Sequence, residues 1–116
     1  MAIYLIKDIT NDEQGKRKYI DFSQEELTSV AKYLEANKTR YHFEEYIHPH
    51  IGPKRYCGTK GKAINLIPSK VQLQLDIQDP DERKLLEEII LRLEPKYIIG
   101  QGDHKPQLIP KYLNLF

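Results

Sequence analysis

The chain has 116 residues, 40% of them hydrophobic and 30% charged, which is the size and composition of one soluble globular domain and excludes a disordered chain. Its formal net charge of +1 gives no global electrostatic case for binding nucleic acid or a membrane surface, so any such case rests on where the charges lie. A single cysteine excludes an internal disulfide framework and fits a reducing compartment, and no apolar run approaches a membrane span, so the expectation is a cytoplasmic, non-membrane domain over residues 1–116.

Taken in order, Ala2 to Thr10 is apolar and β-prone, Asn11-Asp12-Glu13-Gln14-Gly15 is turn chemistry, and Arg17 to Phe22 resumes an extended run. This predicts a hairpin. Ser23 followed three residues later by Glu26 is a capping box, and Phe22 and Leu27 have the spacing of a hydrophobic staple. Leu27, Val30, Ala31 and Leu34 then form the stripe of an amphipathic helix that stops near Asn37. Thr39 to Ile47 alternates well enough to predict a strand. Ala63 to Ile67 reads as a short strand before Pro68, and Val71, Leu73, Leu75 and Ile77 alternate cleanly with polar residues. Asp79-Pro80, with Asp81 and Glu82 behind them, open a second helix whose apolar face runs through Leu85, Leu86, Ile89, Ile90 and Leu93. Pro95 ends it, and Lys96 to Ile99 reads as a last strand. The tail, residues 103–116, is rich in large apolar residues and is expected to fold back over a core edge or to dock on a partner.

These elements predict an α+β fold, with a mostly antiparallel sheet and two helices on one face. Setting the first strand aside as an N-terminal addition leaves βαββαβ, the ferredoxin-like arrangement. That fold hosts many functions and licenses none of them.

Between the patterned halves lies a stretch, residues 48–69, that reads as one long basic loop. From His48 to Lys62 it holds two prolines, three glycines and the only cysteine, a composition that opposes both helix and central strand. From His48 to Lys70 there are five Lys/Arg and no Asp/Glu, leaving 13 basic against 17 acidic residues elsewhere, a net −4. Local positive charge attracts phosphates, and exposed rings stack on unpaired bases. The leading expectation is therefore a small domain that binds single-stranded DNA or RNA. Lys54, Arg55, Lys60 and Lys62 would contact phosphates and Tyr56 would stack. The alternative of another class is a non-enzymatic interaction module, a mobile-element inhibitor, a subunit of a larger complex or a homodimer, whose loop and tail order on a protein partner.

A third expectation is metal chemistry. His48, His50, Cys57 and distant His104 are donor types for a divalent transition metal, and alternate residues on an extended segment point to one side. His48-Pro49-His50 resembles the histidine-hydrophobic-histidine signature of rolling-circle initiator nucleases. That resemblance implies a divalent ion on a ferredoxin-like sheet with Tyr97 or Tyr112 as nucleophile. Proline is a poor middle residue there, and the second helix holds no tyrosine. The segments Ala2 to Asp8 and Lys18 to Asp21 look superficially like the start of a GIY-YIG endonuclease. Asp21 stands where a glycine is needed, and the first helix lacks the arginine that would stabilise phosphate charge, so that reading fails.

Overall fold

A computed structural model describes residues 2–47, 54–58, 62–100 and 105–109. The fold is mixed α+β. Its elements in chain order are β1 (Ala2–Ile6), β2 (Asp8–Asn11), β3 (Arg17–Ile20), α1 (Gln24–Ala36), α2 (Lys38–Tyr41), β4 (Phe43–Ile47), β5 (Lys54–Gly58), β6 (Ala63–Leu66), β7 (Val71–Gln74), α3 (Pro80–Leu93), β8 (Tyr97–Ile99) and β9 (Gln107–Leu108). Seven strands form one sheet in the order β4-β5-β6-β7-β1-β8-β9, and β2 and β3 form a separate hairpin. Every pairing in the large sheet is antiparallel.

The helices form where local chemistry starts them. Ser23 Oγ accepts from the Glu26 N–H at 3.1 Å and Glu26 Oε1 accepts from the Ser23 N–H at 2.8 Å, so the capping box is complete. Lys7 Nζ donates to the same Glu26 oxygen at 2.8 Å, tying the exit of β1 to the start of α1. Asp79 caps α3 by accepting from the Asp81 and Glu82 N–H groups, with Pro80 at the first helical position. Glu94 takes a left-handed backbone (φ 46°) and closes the helix before Pro95. Val30, Ala31 and Leu34 of α1 and Leu85, Leu86, Ile89 and Leu93 of α3 enter one core with Ile3 and Leu5 of β1, Ile64 of β6, Val71 and Leu73 of β7, and Ile98 of β8. The two long helices pack against each other over that face.

Four departures from expectation have physical causes. The run from Ala2 to Thr10 is two strands, separated at Lys7. Its first half is no addition but a central strand of the sheet, held between β7 and β8. Arg17–Ile20 pairs only with Asp8–Asn11, outside the large sheet. In place of the expected βαββαβ core with one added strand, the sheet has seven strands, with four successive ones, β4 to β7, linking the two helical crossovers.

A third, four-residue helix precedes β4. Tyr41 and Phe43 are both buried, as alternation implies, yet His42 between them is left-handed (φ 57°) rather than extended. Residues 48–69 are not one loop, since β5 and β6 both lie within them. Pro53 and Gly58 bound a β-prone run, Arg55-Tyr56-Cys57, which pairs with Glu44 to Tyr46 on one side and Ala63 to Asn65 on the other. Proline and glycine punctuate the segment without interrupting that run. In the tail, β9 pairs with β8 and Ile109 is 6% exposed in the core cluster, so this part of it folds back in cis.

Candidate functional site

The residues expected to carry function are dispersed. Tyr56 is 1% exposed, its ring meets Phe43 edge-on at 5.7 Å between centroids, and its hydroxyl lies 3.4 Å from the Ala31 carbonyl as donor. It is a core side chain and offers no face to a base. Lys62 Nζ donates to the Tyr41 carbonyl at 2.9 Å. Lys54 pairs by its backbone with Ile47 and Leu66. Cys57 is half-buried and lines a groove with His42 and Glu44. No group of three His, Cys, Asp or Glu able to hold a metal occurs among the described residues. His48, His50, Lys60, His104 and Tyr112 lie outside them, so the metal and nuclease expectations fall there. Tyr97 is a half-buried strand residue. No helix among the described residues is long and apolar enough to cross a membrane.

Arg55 is placed differently from its neighbour Tyr56. Alternation along β5 turns it to the face opposite the helices. Register puts Arg55 opposite Asn65, Asn65 opposite Gln72, Gln72 opposite Tyr4, and Tyr4 opposite Ile99. These five side chains form one row across β5, β6, β7, β1 and β8, about 19 Å long at the usual strand spacing. All five are partly exposed, as expected of an antiparallel sheet with one face toward water.

The row is wired. Asn65 Nδ2 donates to Gln72 Oε1 at 2.8 Å, and Gln72 Nε2 reaches Tyr4 Oη at 3.4 Å. That leaves amide donors and acceptors and the tyrosine hydroxyl proton for a ligand. The row contains no acid. Arg55 forms no ion pair among the described residues, and its Nε is buried without a hydrogen-bond partner. An orphaned buried donor costs about 1–3 kcal/mol, which a bound anion drawing the guanidinium outward would offset. Lys70 stands beside the row, its Nζ 5.7 Å from the centre of the Tyr4 ring and 4.8 Å from that of Tyr19 on β3. Cations, rings and amides therefore share one surface.

No protein family, curated protein or solved structure matches this chain. Of the sheet-face site, the sequence reading singled out Arg55 and not Tyr4, Asn65, Gln72 or Lys70. The available signal was the polar half of two alternations: Gln72 opposing the apolar side of Val71 to Ile77, and Asn65 interrupting an otherwise apolar strand.

Proposed function

We propose that this protein binds single-stranded nucleic acid on the open face of its sheet. The observation that carries the reading is Arg55, whose buried Nε has no partner among the described residues, in an acid-free row with Asn65, Gln72 and the Tyr4 ring. Arg55 and Lys70 neutralise phosphates. Tyr4 stacks on a base, and Asn65 and Gln72 hydrogen-bond to base edges, which only an unpaired strand displays on all sides. An open, partly exposed sheet face suits splayed bases better than the groove of a duplex. Binding is non-catalytic in this reading, and a cytoplasmic location goes with it.

The test is a titration of the full chain with labelled single-stranded DNA and RNA 20-mers between 50 and 200 mM salt. Affinity should fall steeply with salt. Arg55→Ala should lower the log–log slope by about 0.7, the contribution of one single-strand phosphate contact, and so weaken binding about fivefold at 0.1 M. Tyr4→Ala should weaken binding about tenfold with the slope unchanged, because stacking releases no counterions. Absence of binding to both polymers at 50 mM salt would sink the reading and favour a protein partner.

A further inference from the structure

We infer that the β2–β3 hairpin is a second contact arm for the same nucleic-acid strand, with Arg17 holding a phosphate beyond the edge of the sheet face. This rests on the nucleic-acid reading above. No side chain from Asp8 to Ile20 is buried, so the hairpin contributes nothing to the core. A two-stranded hairpin without a core is marginal alone. This one is fastened near its base by the Lys7–Glu26 ion pair, by Lys96 Nζ 3.7 Å from Asp8, and by Lys70 against the Tyr19 ring.

Its charge is arranged along the strand. Lys16, Arg17 and Lys18 are consecutive, and the residues opposite Arg17 and Lys18 are the uncharged Asn11 and Thr10. Two acids of the hairpin are engaged elsewhere: Asp12 folds the turn by accepting from the Gln14 and Lys16 N–H groups, and Asp8 accepts from Ile9 and faces Lys96. None of the three cations makes an ion pair among the described residues. Arg17 and Tyr19 are two apart on one strand and so share a face, the one that meets Lys70. Lys18 points the other way. A continuous course thus leads from Arg55 through Asn65, Gln72 and Tyr4 to Lys70, Tyr19 and Arg17. None of these seven residues is acidic, and the course matches an extended polyanion with bases to stack.

The same titration, run on hairpin variants of the full chain, separates this inference from the reading beneath it. Arg17→Ala should weaken binding about fivefold at 0.1 M salt and lower the slope by about 0.7. Tyr19→Ala should weaken binding about tenfold at unchanged slope. Lys18→Ala, on the far face, should leave the slope as it is. Circular dichroism should be unaltered in all three, since no buried side chain is touched. If Arg17→Ala and Tyr19→Ala bind like the parent while Arg55→Ala does not, the arm is refuted and the sheet-face reading stands. Equal losses in Arg17→Ala and Lys18→Ala would also overturn it, by showing a diffuse effect of charge. Failure of the parent protein to bind overturns both.

Discussion

Glu26 joins three pieces of the molecule through one carboxylate. Partial burial works against its charge, but the Lys7 hydrogen bond, the Ser23 backbone and hydroxyl, and the Lys7 charge outweigh it and hold the carboxyl below its ordinary value of 4.5. A carboxyl depressed in the folded state adds stability that is fully present above the unfolded value and is lost as pH falls through the folded one. Glu26→Gln keeps the reach of the capping box and removes only the charge. The variant should be less stable than the parent by under about 1 kcal/mol at pH 7. Urea melts should show the gap closing as pH drops below about 4. A gap of the same size at pH 3 would show that the charge is not its source. Tyr56 teaches a different lesson at this scale. Its setting among Arg55, Lys54 and Lys60 made it look like a surface ring, but a strand turns neighbours to opposite faces, and sequence neighbourhood is no guide to which face is wet.

At the scale of elements, the sequence was legible where a signal is local. The capping box, the proline at the first turn of α3, and both apolar stripes act within a dozen residues, and both long helices stand where those signals put them. It was illegible where a neighbour across the sheet decides. β5 is a strand because β4 and β6 flank it, and its five residues are too few to outweigh the surrounding glycines and prolines in a window of sequence. The glycine that ends β5 has a packing role instead of a turn role. A Cβ at Gly58 would sit 2.8 Å from the His42 carbonyl oxygen and 3.2 Å from the Phe43 Cβ. The carbonyl belongs to the left-handed residue that connects α2 to β4, so it cannot swing aside without disturbing that joint. Gly58→Ala should therefore cost about 1–3 kcal/mol, the usual range for overpacking, read from denaturant midpoints. A midpoint equal to that of the parent would mean the joint is more pliant than its geometry indicates.

At the scale of the whole molecule, the sheet and the two long helices share one core, and α3 is its largest helical contributor. Ile89 is fully buried on that helix while Glu87 is exposed. Ile89→Ala should cost about 2–5 kcal/mol through lost transfer energy and a cavity. Glu87→Ala should cost less than about 0.5 kcal/mol. Guanidinium melts of the pair decide whether that face is covered in the isolated chain, and equal stability would say it is not. Fold class followed from element content, but strand order did not, because no local pattern says that Ala2–Ile6 is central. That placement has a consequence for how the chain is made. Ile3 pairs with Leu73 and Leu5 with Ile98, separations of 70 and 93 residues, so the strand that organises the sheet is synthesised long before either partner. Loops of that length close slowly, and topologies dominated by such contacts fold in the slower part of the two-state range. Until β7 has emerged both edges of this apolar strand are unsatisfied, and until β8 has emerged one still is, which leaves the half-made chain open to pairing with any other strand nearby.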